Sequence, residues 1–478
     1  MTRHRVARTL VYTHRWLGIA LGVLFVVWFA SGMVMIYARM PELDPEERLS
    51  RLKPLEFAAV RVAPGDVASE ASRFTLTTLD GRPVYRVTSG GTSQTVFADT
   101  GEVLAPLTAD RAVQIARSFA GGAATVRHDG FLEDADQWTF AVRNQMPLHR
   151  VALEDPEGTR LYVAGRSGEV VMKTTTSSRR WGALGAVLHW IYFTSFRRQS
   201  VLWSNTIIWA SIAGTVLAVA GYLWGLWRFS PFQRFRLKRD VYRSPYAGLI
   251  FGISTITWVF SGLLSMDPWN WSPSTAPTRT QREAVSQGPL HPPEVPLAAL
   301  HKGLAAFGFA TPKEIEIIRF RGHHYLSASA GLVALDVATQ GPDEMFHADA
   351  MLGAARDAMP GVEIEGVYWM TEYDAYYYSR RGQLNLPALR VRFGDPQRTW
   401  LYLDPKRGAI VRKEERLSRL NRWLYHGLHS LDFPFLYYRR PLWDVVVIAL
   451  SVGGIVLSVT TIWAAYRRLR RATRRVSS

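Results

Sequence analysis

Four stretches of the chain contain no charged side chain: Trp16 to Ala38, Ser200 to Trp227, Ser244 to Met266 and Val445 to Tyr466. Each reaches the ~20 apolar residues that a helix needs to cross a hydrocarbon core. The pattern therefore predicts four transmembrane helices. Between these stretches the period changes. Alternating apolar and polar positions predict strands over 73–78, 84–88, 95–98, 137–142 and 160–163. Further strands are predicted over 315–320, 325–328, 389–393 and 399–403. A helical period appears twice among them. Ala112, Ile115, Ala116 and Phe119 follow the capping sequence Thr108-Ala109-Asp110, and residues 351–358 follow His347-Ala348-Asp349.

Basic residues crowd the ends of the apolar stretches. Arg3, Arg5, Arg8 and Arg15 precede the first, and Arg228, Arg234, Arg236, Lys238, Arg239 and Arg243 lie between the second and third. Arg467, Arg468, Arg470, Arg471, Arg474 and Arg475 follow the fourth. Such residues beside a span stay cytoplasmic, so both termini are expected inside and the two long segments outside. The expected order is a cytoplasmic N-terminus and first span (1–40), a first outside α+β region (41–180), and an interfacial helix with the second span (181–229). A basic cytoplasmic loop (230–243) and the third span (244–267) come next. A second outside region (268–418), an interfacial segment with the fourth span (419–467) and a basic tail (468–478) complete the chain. The fold class expected is an integral membrane α-helical protein with four transmembrane helices and two α+β regions.

The chain is also duplicated. Trp28-Phe29-Ala30-Ser31-Gly32 recurs as Trp258-Val259-Phe260-Ser261-Gly262, at an offset of 258 − 28 = 230. Gly18 and Gly22 recur at that offset as Gly248 and Gly252. Further on the offset becomes 429 − 189 = 240: Tyr162, His189, Trp203, Ser211 and Gly214 return as Tyr402, His429, Trp443, Ser451 and Gly454. A repeat of this length marks two half-proteins running in the same direction.

Charge and cysteine usage narrow the chemistry. The net charge of +17 lies largely in the flanking arginines, which suit anionic lipid headgroups and do not indicate nucleic acid. The chain has no cysteine, which excludes disulfides, thiolate-held metals, iron–sulfur clusters and covalently attached haem. No H-E-x-x-H, G-x-S-x-G, P-loop or dinucleotide fingerprint occurs. Any electrons would come from a membrane quinol or a separate redox protein.

Hairpins of the Tyr-x-Asp-x-x-x-Gly-x-Val type after a small helix resemble PepSY domains, and Tyr402 to Val411 comes close to that pattern, with Ile410 where the valine is expected. His14-Arg15-Trp16-Leu17-Gly18, Leu188-His189 and Gly221-Tyr222-Leu223-Trp224 resemble the PepSY-associated transmembrane family. The resemblance covers nearly the whole chain. It implies a multi-pass protein of the bacterial inner membrane linked to iron uptake, with PepSY regions in the periplasm. Some members of that family are siderophore reductases carrying b-type haem.

Four histidines are candidate cofactor residues. His189 lies in the short aromatic stretch 181–196, and His429 is its repeat mate, so both are expected at one depth. They are expected to ligate a haem b iron, with His426, one helical turn before His429, as substitute or supporting partner. The competing reading is that both histidines cap helices or pin the segment to the membrane interface. His14 shares a helix face with Gly18, Leu21, Gly22 and Phe25, which suits either a haem ligand beside a flat wall or an interfacial histidine beside a helix-packing surface. Its repeat position is Ser244, so a symmetric inner site is excluded. A candidate surface for a large anionic chelate such as a ferric siderophore holds Tyr376, Tyr378, Arg380 and Arg381, with Tyr368, Trp369, Tyr373 and Tyr377 beside them. The same aromatics also fit a strand packed on its sheet. Two functions follow: a haem reductase acting on a periplasmic ferric chelate, or a non-enzymatic membrane-anchored PepSY binding protein. A permease is disfavoured, because the spans carry few polar residues to line a pathway.

Overall fold

The computed structural model describes residues 2–122, 124–228, 244–308, 312–336, 342–379 and 384–476. The expected basic loop at 230–243 lies outside them. The chain divides into two compact units, one of residues 41–177 and 274–418, the other of residues 1–40, 178–273 and 419–478.

The first unit is built on three antiparallel sheets. Strands β1 (Arg73–Leu79), β2 (Arg82–Ser89) and β3 (Thr92–Phe97) form a meander. A helix, α2 (Ala109–Phe119), follows, and then β4 (Val126–Leu132), β5 (Leu148–Leu153), β6 (Arg160–Ala164) and β7 (Val170–Thr174). The second half repeats the plan with β8 (Glu314–Phe320), β9 (His323–Ala328), β10 (Gly331–Ala334), helix α5 (Ala348–Ala358), β11 (Ile364–Met370), β12 (Ala388–Phe393), β13 (Trp400–Asp404) and β14 (Ala409–Glu414). The two meanders do not form separate sheets. They join edge to edge through β1 and β8 into one six-stranded sheet, ordered β10-β9-β8-β1-β2-β3. Phe74 pairs with Ile317 and Thr77 with Glu314. The midpoint of that pairing falls between Thr75 and Leu76 on one strand and between Ile315 and Glu316 on the other, points 315 − 75 = 240 residues apart. The joint therefore lies on a local two-fold axis. It buries Phe74, Leu76, Ile315 and Ile317 in one core with Leu300 and Leu304. The two halves thus share a hydrophobic centre.

Each remaining sheet packs a helix that follows its meander. The apolar stripe Ala112, Ile115, Ala116 and Phe119 of α2 is buried, and the Thr108 hydroxyl accepts from the Arg111 amide. In α5 the stripe is Met351, Ala354, Ala355 and Ala358, but His347 makes no side-chain cap. The strand predicted over 137–142 is absent. Asp136 Oδ1 accepts from the amides of Trp138 and Thr139 and from the Thr139 hydroxyl, and a 3₁₀ turn at Phe140–Gln145 follows. Local carboxylate bonds of this kind compete with a sheet ladder.

The second unit is helical. It holds α1 (Thr2–Met35), α3 (Ser200–Arg228), α4 (Ser244–Leu264) and α6 (Leu442–Val476). Among the described residues three stretches are long and apolar enough to cross a membrane: Arg5–Met35, Ser200–Trp227 and Leu442–Ala464. These make the protein membrane-associated. The third charge-free stretch, Ser244 to Met266, does not qualify among the described residues. Its helix ends at Leu264, Ser265 and Met266 turn away, and Asp267 adopts φ 44°. The described apolar part, Gly248–Leu264, falls short of a span. The expectation of a four-span α-helical membrane protein is therefore overturned. The molecule is mixed α/β, with three antiparallel sheets and three candidate spans among the described residues.

Small residues set the helix packing. A Cβ added to Gly18 would come within 2.6 Å of Thr461, and one added to Gly454 within 2.5 Å of Phe29. α1 and α6 thus run antiparallel, and the N-terminal end of α1 lies beside the C-terminal end of α6. Gly214 admits Phe25 and Val259 in the same way. Gly18, Gly214 and Gly454 are accordingly points of close helix approach.

Candidate functional site

Each half of the helical unit carries a short irregular turn that presents one histidine. In the first half a π turn at Ala183–Val187 leads into Leu188–Trp190, and in the second a π turn at Arg422–Gly427 leads into Leu428–Ser430. The sequence predicts one continuous short helix over 181–196. Instead the chain breaks at Ile191, φ 52°, and at the matching Leu431, φ 49°. Neither residue is glycine, so the left-handed backbone is strained at both. Two repeated tryptophans hold these turns. Trp203 Nε1 donates to the Trp190 carbonyl and Trp443 Nε1 to the Ser430 carbonyl, each at 3.0 Å.

The turns bring His189 and His429 together, with ring centroids 6.0 Å apart and planes at 68°. Their surroundings repeat as well. Nδ1 of His189 lies 3.1 Å from the Trp28 carbonyl and 3.1 Å from Ser31 Oγ. Nδ1 of His429 lies 3.2 Å from the Trp258 carbonyl and 3.1 Å from Ser261 Oγ. A carbonyl only accepts, so each Nδ1 carries the proton and each Nε2 keeps its lone pair. Both residues retain partial surface exposure, yet protein atoms crowd the rings. Burial, and then the neighbouring His429, pushes the His189 imidazole down to about 4. Burial likewise lowers His429 below the ordinary histidine value. Both rings are therefore neutral at pH 7 and able to ligate a metal.

The donor set fits one kind of metal group. No cluster of three or more histidine, cysteine, aspartate or glutamate side chains occurs among the described residues. Two imidazoles alone leave a zinc site two ligands short. Two imidazoles would suffice to hold the iron of a haem, which would supply one-electron chemistry there. Two metal–nitrogen bonds of about 2 Å, plus the half-width of each ring, place the centroids roughly 6 Å apart. The observed separation matches. Each Nδ1–H bonded to a carbonyl is also the usual support of a ligating histidine.

The other predicted residues lie elsewhere or play other parts. The His426 ring rests 4.4 Å from Tyr425, whose own ring is 5.7 Å from His429. His14 bonds the Leu217 carbonyl at 3.2 Å and faces Gly221. Gly18 and Gly22 pack against Thr461 and Ile462 of α6, and Gly18 also meets Leu217 beside His14. His14 is 31 − 14 = 17 residues from Ser31, about 25 Å along α1. The structure does not bring it to the pair.

In the sheet unit, Tyr376 stands edge-on to Trp400 at 5.4 Å, and the Arg412 guanidinium lies 5.9 Å from the Tyr378 ring. Tyr377 is fully buried against Tyr402. Arg380 and Arg381 lie outside the described residues. Arg390 and Arg392 also meet aromatic rings here, each stacked between Tyr368 and Trp400 across β11, β12 and β13. Tyr368, Trp369 and Tyr373 form the exposed aromatic surface. Sequence reasoning missed Arg390 and Arg392 because cross-strand partners carry no local signal.

The chain matches no protein-family model and no curated protein.

Proposed function

We propose that the protein is a haem-containing reductase of the bacterial inner membrane, which passes electrons to a periplasmic ferric chelate of the siderophore class. The observation that carries this reading is the His189–His429 pair, 6.0 Å apart and anchored identically through Nδ1. His189 and His429 would hold the iron of a b-type haem, with His426 at the edge of the site. Bound there, the haem supplies a one-electron carrier. One electron converts the chelate's iron(III) to iron(II), which siderophores hold poorly. The donor is a membrane quinol or a redox protein. The Arg-rich ends of α1 and α6 lie together and favour the cytoplasmic side. The aromatic surface at Tyr368, Trp369 and Tyr373, with Tyr376 and Tyr378 nearby, suits a large anionic chelate by stacking and charge. The resemblance to the PepSY-associated transmembrane family supports the same assignment.

The test is the visible spectrum of the full-length protein purified in detergent. A reductase of this kind shows the absorbance of a low-spin bis-histidine haem and reduces a ferric chelate after addition of quinol. A protein that folds without such absorbance, even when haem is supplied, is a membrane-anchored binding module instead.

A further inference from the structure

The two Trp-x-x-Ser-Gly segments place a serine against each histidine of the pair. Ser31 is 2% exposed and Ser261 0%. Serines in helices commonly bond the carbonyl a turn earlier, and both do so. Ser31 Oγ donates to the Val27 carbonyl at 2.6 Å, with Trp28 O at 3.2 Å. Ser261 Oγ donates to the Trp258 carbonyl at 3.1 Å. A hydroxyl has one hydrogen. With that hydrogen spent on the main chain, each serine oxygen turns a lone pair toward Nδ1. Each Nδ1–H therefore meets two acceptors, a tryptophan carbonyl and a serine oxygen.

We propose that Ser31 and Ser261 are positioning residues for the metal-ligating imidazoles, orienting each ring and enriching its Nε2 in electron density. This rests on the haem reading above. Pulling on the Nδ1 proton makes the opposite nitrogen a stronger donor. A stronger donor stabilises the oxidised iron and lowers its potential. Two further observations support the assignment. Both serines are buried within hydrogen-bond distance of a ring, and the arrangement occurs at both histidines with nearly the same distances. A serine needed only for helix packing has no reason to meet an imidazole twice.

The experiment is a potentiometric titration of the visible absorbance of full-length protein in detergent. The variants are Ser31→Ala, Ser261→Ala, the double alanine variant and the double threonine variant. Each alanine is expected to raise the midpoint potential, shifting the iron(III)-to-iron(II) ratio at fixed poise by up to about tenfold, or about 59 mV for a one-electron couple. The two shifts should be similar and roughly additive. Threonine keeps the hydroxyl and should stay near the wild type. Unchanged potentials in the alanine variants, with haem content unchanged, would overturn the inference and leave the haem reading standing. If the alanine variants lose haem, recovery of haem and potential by threonine supports the role, and failure to recover overturns it. A wild-type protein that binds no haem sinks the earlier reading itself.

Discussion

The two ends of the helical unit treat the duplication differently. Around His189 and His429 both halves agree in the π turns, the stapling tryptophans, the left-handed residues and the serine partners. At the other end they part. His14 faces Gly221 in the first half, while the matching position is Ser244 and the position matching Gly221 is Thr461. A group placed on a two-fold axis needs the same residue from each half, so agreement is expected only where something is shared. A residue off the axis is free to diverge. The sheet unit diverges too. His128 and His149 share a hydrogen bond at 3.2 Å in the first half, whereas the strand register puts Val367 and Leu389 at the matching positions in the second.

The largest effect should separate the two ends. If the proposed haem is bound, His189→Ala and His429→Ala should each abolish its bis-histidine spectrum, because either change would remove one of the two imidazoles proposed to hold the iron. His14→Ala should leave that spectrum intact. Unequal losses from the two single variants would break the symmetry argument, and loss of the spectrum in His14→Ala would return His14 to the site.

A smaller effect tests the packing asymmetry. Gly18 meets Thr461, but no described atom lies within 4 Å of a Cβ at Gly248. Thermal unfolding in detergent should show Gly18→Ala destabilised by about 1–3 kcal/mol through overpacking against a β-branched side chain. Gly248→Ala should be neutral or slightly stabilising, within the ~1 kcal/mol that separates alanine from glycine in a helix.

The smallest effect concerns pH. Burial, foremost, lowers His149 below its ordinary 6.5, with the Leu107 carbonyl acting against that and His128 with it. The unfolded chain therefore takes up the proton first. Stability contributed by this residue is complete above about pH 6.5 and declines as pH falls below that value. His149→Gln should flatten this part of the stability profile, measured by thermal unfolding between pH 5 and 8. An unchanged slope would show that other groups dominate.

Much of this was legible in the chain. Apolar period and capping residues located α2 and most strands, because those signals are local. The repeat singled out His189 and His429 and also exposed Ser31 and Ser261, although the Trp-x-x-Ser-Gly segments carried no visible chemistry until the imidazoles were placed. Other features were illegible for stated physical reasons. A hydrogen-bonding Asp136 displaced the strand over 137–142. Tyr377 turned inward from the aromatic surface.

By itself, the sequence determined the duplication, the apolar helices, the basic ends and the absence of thiol chemistry, since all of these are properties of composition and spacing. Only the tertiary structure decided that two meanders close into one sheet across β1 and β8, and that two histidines 240 residues apart stand 6.0 Å from each other. Pairing across a two-fold axis depends on which surfaces meet, and a linear pattern does not contain that information.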